Sequence, residues 1–260
     1  MDKLLKQQKE LAQIVAKGNR IVRQWQLSLP LQEQKIFLYV LSKIKPEDEA
    51  FYPITISVKE FGKLLGLKDP GGKDYIHLKK NILKLAARMR WMDIDDETEA
   101  VVSLIEKPSI KKRNGVVTVR LDKHLQPFLL NLKTQYTSYS LQDVWHMKSS
   151  YAIRLYEILK SFDYKRGEML THHFTIPQFR EWLDCVDIYK DWRNFKKWVI
   201  DTAVSEINAV SNYYVEYETF RLGREIYEIE FTMREKRGLE EYRETEDEIA
   251  RRQMKLEDVT

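Results

Sequence analysis

Residues 174–210 read FTIPQFREWLDCVDIYKDWRNFKKWVIDTAVSEINAV, and this stretch decides the fold. A short helical segment gives way to a turn and then to a longer helix with two opposed faces, the pattern of a helix-turn-helix. Asp191 stands where an N-cap belongs. Trp192, Phe195, Trp198, Val199, Thr202 and Ala203 recur at helical period, so that stripe is expected to face a core. The opposite side carries Arg193, Asn194 and Lys197, with Lys190 just before the helix and Lys196 on its flank. All of them crowd the N-terminal half, the part of such a helix that enters a major groove. A solvated face would look the same in isolation, so the neighbouring sequence has to decide.

Working outward, NYYVEYETFRLGREIYEIEFTM at 212–233 is two alternating runs joined at Arg221-Leu222-Gly223-Arg224, a hairpin with an arginine on each side of its tip. Helix, turn, helix and hairpin make a winged helix. The plan occurs twice. Residues 56–90, ISVKEFGKLLGLKDPGGKDYIHLKKNILKLAARMR, follow the same order as 175–209, with Phe61, Leu64 and Leu65 matching Phe179, Trp182 and Leu183. In the first copy Leu78, Ile82, Leu85, Ala86 and Met89 form the expected buried stripe, while His77, Lys80, Lys84 and Arg88 collect on the other side. Its wing is expected from strands at 91–95, 101–105 and 116–121, with Asn114-Gly115 turning beside Lys111, Lys112 and Arg113.

The fold class is therefore α+β, two tandem winged-helix domains related by an internal repeat. The expected divisions are an N-terminal arm at 1–29, a first domain at 30–132, a crossing at 133–148, a second domain at 149–233 and a charged tail at 234–260. Residues 3–16 read as a helix stopped by Gly18-Asn19, 122–132 as a short helix kinked at Pro127, and 236–256 as helical. Ser149 or Ser150 should cap the helix YAIRLYEILKSF. Glu206 falls toward the apolar side of the long helix and is expected to find Arg154 or Arg180.

The 260 residues suffice for two domains, and the 43% hydrophobic content for two cores. The net charge of +4 says little until it is placed: from Arg234 onward 7 basic residues face 9 acidic ones, leaving 37 against 31 in the body. Cys185 is alone, which excludes an intrachain disulfide and suits a reducing cytoplasm; a half-buried bystander explains it better than a reactive thiol. No long apolar run or signal peptide is present, so a cytoplasmic protein with no membrane association is expected.

Enzymatic readings fail on spacing. His172 and His173 are adjacent, so a strand points them to opposite faces and they cannot hold one metal as a His-hydrophobe-His nickase motif does. In GLKDPGGKD, Gly66 is misplaced relative to Gly72-Lys73, and Asp74 replaces the Ser or Thr of a P-loop. The expectation is no catalytic residue, no metal and no cofactor. The mechanism expected instead is bipartite binding of double-stranded DNA. Arg193, Asn194 and Lys197 would meet base edges or nearby phosphates, and Lys80, Lys84, Arg221, Arg224 and Lys111, Lys112 and Arg113 would hold phosphates or the minor groove. Lys190, Lys196 and His77 complete the candidate surface. With ~10 base pairs per turn, two modules in successive grooves would span roughly 20 base pairs.

Several stretches resemble the theta-type plasmid replication initiators, Rep proteins with tandem winged helices that bind origin repeats called iterons. They are Asn19-Arg20-Ile21-Val22, Leu27-Ser28 with Glu33-Gln34-Lys35-Ile36, Tyr136-Thr137 with Tyr139, Ser150 through Glu157, Phe195-Lys196 through Glu206-Ile207-Asn208, and Gly223-Arg224 with Phe231. The resemblance covers residues 19–233 and rests on their order and spacing. It implies an N-terminal module for dimer formation and supporting contacts, and a C-terminal module for most sequence recognition. It also implies a homodimer in equilibrium with monomer, opening of an adjacent A+T-rich region, recruitment of the host replication initiator and replicative helicase, and autorepression by dimers. A tandem winged-helix transcription regulator without initiator activity shares the same physics. A chromosome-segregation subunit would favour an acidic recognition surface, the opposite of this one.

Overall fold

The computed structural model describes residues 8–24, 29–65, 73–111, 113, 115–163 and 169–236. The chain divides into two compact units: Met1–Gly18 with Leu29–Leu141, and Asn19–Ser28 with Gln142–Thr260. Residues 1–7, Lys112, Asn114 and the tail beyond Lys236 lie outside the described residues, as does most of the P-loop-like stretch.

In the first unit, β1 (Ile14–Gly18) pairs antiparallel with β7 (Tyr136–Ser140), Ile14 opposite Ser140 and Gly18 opposite Tyr136. The segments read from sequence as an arm and a crossing are thus hydrogen-bonded to each other. The expected helix across 3–16 is confined to 8–11 among the described residues, because Ile14 and Val15 are β-branched and join a sheet. At Gly18 a Cβ would stand 3.2 Å from the Phe128 carbonyl oxygen, a tight contact that glycine avoids.

The helix α2 (Leu31–Leu41) buries Ile36, Leu38, Val40 and Leu41. It also buries Glu33, whose carboxylate accepts from Arg88 Nε at 2.7 Å. Next come β2 (Ile54–Ser57), α3 (Val58–Leu64) and α4 (Lys73–Ala87). Then β3 (Met89–Asp93) and β4 (Glu99–Ser103) form one hairpin, while β5 (Ile105–Lys111) and β6 (Val116–Leu121) form another whose sheet runs β2-β6-β5. Leu78, Ile82 and Leu85 turn inward as their period requires, but Met89 is 65% exposed because the helix has ended and Met89 opens a strand. The basic tip therefore belongs to the β5–β6 hairpin, and β5 was hidden in sequence by Pro108.

Asp122 caps a 3-10 turn, Lys123–Leu125, accepting from the backbone N–H groups of His124 and Ser103 at 3.0 Å each. Burial alone would raise its carboxyl, but those hydrogen bonds and the His124 ring outweigh burial and hold it below its ordinary value. Pro127 does not kink a helix but sits in the first turn of α5 (Gln126–Leu129), where its missing N–H is harmless.

The second unit begins with α1 (Asn19–Gln24), which belongs to it despite its place in the chain. Ile21 and Val22 are buried, Asn19 Nδ2 donates to the Ser161 carbonyl at 3.0 Å, and the Arg23 guanidinium lies 3.9 Å over the Phe162 ring. After α6 (Gln142–Trp145), Ser149 caps α7 (Ser150–Lys160), accepting from Tyr151 N–H at 3.2 Å. The remaining elements are β8 (Leu170–Thr175), α8 (Ile176–Trp182), a turn, a long helix α9 (192–210), and the hairpin β9 (Tyr213–Leu222) with β10 (Glu225–Glu235). The sheet order is β8-β10-β9, all antiparallel, and the rings of Phe174, Phe179, Phe195 and Phe231 pack against one another beneath it.

Candidate nucleic-acid interface

The helix α9 is built in three continuous parts: Trp192–Phe195 is α-helical, Lys196–Asp201 is π-helical, and Thr202–Val210 is α-helical. Asp191 caps it, its Oδ2 accepting from Asn194 N–H at 3.0 Å. The wider middle turns alter the phase of everything after Phe195. The buried stripe is Phe195, Val199, Ile200, Ala203 and Ile207, whereas Trp198, expected inside, is 50% exposed. Lys197 lies with Nζ 4.6 Å over the Trp198 ring. The outward face thus carries Arg193, Asn194, Lys197 and Trp198, all exposed.

Lys196, a member of the candidate surface, is held by a carboxylate of its own helix. A five-residue spacing is far apart on an α-helix but close on a π-helix, so Lys196 Nζ donates to both Asp201 oxygens at 2.9 and 2.8 Å. Burial alone would lower this ammonium; the hydrogen bonds to Asp201 and Tyr217 outweigh it and hold it above its ordinary value. The Tyr217 hydroxyl donates to the same Asp201, tying the wing's first strand to the helix. Lys190 is exposed in the turn, 3.9 Å from Asp187. Cys185 is buried, and burial pushes its thiol up to about 12.

Glu206 finds neither arginine. Its Oε2 accepts from the backbone N–H groups of Lys148 and Ser149 at 2.8 Å each, placing a carboxylate at the N-terminus of α7. Arg154 gives its Nε instead to the Trp182 carbonyl at 2.9 Å. Asn208 bonds to both backbone groups of Val215, which sets where the wing begins.

The wing sorts charge by its pleat. Val215, Tyr217, Thr219 and Arg221 share the side of β9 on which Tyr217 meets α9, so Arg221 extends that side beyond the core. Glu216 and Glu218 of β9, and Glu228 and Glu230 of β10, lie on the other side, where Glu230 pairs with His173. Arg224 follows Gly223 at the exposed tip, whose φ of +65° is open to glycine without strain.

In the first unit, His77, Lys80 and Lys84 are exposed on α4, and Lys111 and Arg113 are exposed at the hairpin tip around Gly115. Arg88 does not join them, because it is held by the buried Glu33. The same helix presents Ile76 and Leu83, 65% and 66% exposed, beside a groove of about 320 Å³. Among the described residues no group of three His, Cys, Asp or Glu side chains is arranged to hold a metal ion, and no helix is long and apolar enough to cross a membrane.

Residues 14–160 match the family described as Initiator Replication protein, WH1, and residues 175–233 match Initiator Rep protein, WH2. The crystal structure of the Pi initiator protein in complex with iteron DNA is similar in fold, with a TM-score of 0.72 and 18% identity, over 88% of this chain and 99% of that one. The first match alone covers more than half of the sequence, and the second takes in α8, α9 and the wing. The chain belongs to the replication initiator family with tandem winged-helix domains.

Proposed function

We propose that this protein starts plasmid replication by binding repeated double-stranded sites at an origin. The observation that carries the reading is the outward face of α9, where Arg193, Asn194 and Lys197 stand exposed on a helix anchored from beneath by Phe195, Val199 and Ile200. Arginine and lysine suit guanine and asparagine suits adenine, and the N-terminal half of such a helix is what reaches base edges. Arg221 and Arg224 at the wing tip and Lys190 in the preceding turn are all exposed and suit phosphate or minor-groove contact. Lys196, neutralised by Asp201, supports the surface rather than reading bases. In the first module His77, Lys80, Lys84, Lys111, Lys112 and Arg113 supply phosphate contacts. The two modules together cover a site of roughly 20 base pairs, given ~10 per helical turn. Origin opening, recruitment of the host initiator and helicase, and autorepression by a homodimer in equilibrium with monomer complete the proposal. The structural likeness to the Pi protein, bound in that crystal to iteron DNA, supports the DNA-binding part.

The test uses a duplex selected by the protein from a random-sequence pool and a scrambled control, titrated at two salt concentrations. Arg193→Ala is expected to cost about 1 to 3 kcal/mol on the selected duplex alone and to relax preference at one position. Lys84→Ala should weaken both duplexes alike and reduce the salt slope by about 0.9. Equal losses on both duplexes for Arg193→Ala would refute the reading. Persistence in a host of an origin-less plasmid carrying the gene and its flanking DNA tests initiation itself.

A further inference from the structure

The turn between α8 and α9, residues 183–191, has no regular structure of its own, yet it sets the angle at which the reading helix leaves the domain. Its backbone is held in two places where side chains seldom go: Asp184 and Tyr189 both have φ of 52°. For a tyrosine this is an outlier that persists only when the surroundings dictate it.

Asp184 closes α8 through backbone bonds, its N–H reaching the Glu181 carbonyl and that of Cys185 the Arg180 carbonyl, whereas around Tyr189 the turn is held by one side chain. Arg180, in the last turn of α8, spreads its guanidinium across the turn's carbonyls. Nη1 donates to Cys185 O at 3.4 Å and Ile188 O at 3.2 Å, while Nη2 donates to Tyr189 O at 2.8 Å and Lys190 O at 3.3 Å. Its Cζ stands 3.9 Å over the ring of Phe195, the buried anchor of the first turn of α9. The last clamped carbonyl belongs to the residue just before the Asp191 cap. A planar fork with five donors can do this, and a lysine ammonium on a flexible stem cannot hold the same four acceptors in one plane.

The geometry points to Arg180 as the positioning residue for sequence recognition: by clamping the turn and stacking on Phe195, it aims Arg193 and Asn194. This rests on the DNA-reading role of α9 proposed above. Arg180 need not touch DNA itself. Because base readout requires side chains placed to within a fraction of an ångström, whereas phosphate attraction does not, loosening the turn degrades discrimination before affinity.

The experiment compares the wild-type protein, Arg180→Lys, Arg180→Gln and Arg193→Ala on the selected and scrambled duplexes, with thermal melting and amide hydrogen exchange on peptides spanning 184–195. Arg180→Lys keeps the charge, so scrambled-duplex affinity is expected to stay within about twofold. Its ratio of selected to scrambled affinity should fall at least tenfold, with faster exchange in the turn and the second unit's melting transition retained. Arg180→Gln should lower the ratio similarly. An unchanged ratio, or parallel losses on both duplexes, overturns the assignment. Loss of the melting transition in both variants also overturns it, by making Arg180 a folding determinant only. Arg193→Ala separates the two proposals: if it leaves the ratio intact, the reading of α9 itself has failed, whereas a loss there without one in Arg180→Lys defeats only the clamp.

Discussion

Replacing Asn208 by aspartate should destabilise the second unit about as much as replacing it by alanine, although aspartate has the same shape. Asn208 is 9% exposed near the end of α9, and Val215, opposite it on β9, is 1% exposed. The carboxamide completes both backbone bonds of Val215, accepting from its N–H at 2.6 Å and donating to its carbonyl at 2.8 Å. Since β9 is an edge strand, no further strand offers those partners. Alanine strands a buried donor and a buried acceptor, each worth about 1 to 2 kcal/mol at this sheet edge when left unmade, so a loss of about 2 to 4 kcal/mol follows. Aspartate keeps the acceptor but loses the donor and sets a carboxylate against the Val215 carbonyl, a repulsion that offsets the bond retained. For a unit of this size each kcal/mol moves the midpoint by about 4 °C, so both variants should melt roughly 8 to 16 °C lower. Differential scanning calorimetry reads this directly, and the first unit's transition should stay in place. An Asn208→Asp protein melting within about 2 °C of wild type, or roughly half a kcal/mol by that scale, would refute the reasoning.

Two further outcomes are expected. Arg88→Ala leaves the buried Glu33 carboxylate without its cation, costing about 2 kcal/mol after discounting for the 37% exposure of Arg88; Glu33→Gln in the same protein should recover at least half of the loss in urea titrations. Burial, then the Arg23 guanidinium, then His173 hold the His172 imidazole below its ordinary value, while the ring stacks 3.7 Å from Phe162. A depressed folded value means that the stabilisation is complete above the unfolded value of about 6.5 and is lost as pH falls through the folded one. Melting curves at pH 7, 6 and 5 should therefore show the second unit weakening toward acid, and His172→Phe should flatten that dependence.

What could be read from the sequence was what neighbours in the chain decide. Asp191 and Ser149 cap the helices they precede, and Gly223 turns the hairpin around it, because each acts within three residues of itself. The repeat of helix, turn, helix and hairpin was legible for the same reason. The misreadings come from distance and from phase. β1 depends on partners about 120 positions away in β7, so residues 14–18 carried no local sign of a strand beyond two β-branched side chains. The π-helical middle of α9 moved Trp198 out of the core and brought Lys196 to Asp201, and no spacing rule based on 3.6 residues per turn foresees that. Glu206 was expected to seek an arginine but found two backbone donors, which residue identity does not advertise.

The chain leaves the first unit's strand at Gly18, gives Asn19–Gln24 to the second unit as α1, and is back in the first unit at Leu29. On the ribosome this helix emerges before the surface that receives it exists, and α7 with Ser161 follows only after more than a hundred further residues. Strand β1 waits equally long for β7. The first half cannot close until β7 has been made, and the second must draw on a helix made long before the rest of it, so a shortened gene starting after Gly18 would injure the first half, and one starting after Ser28 would injure both.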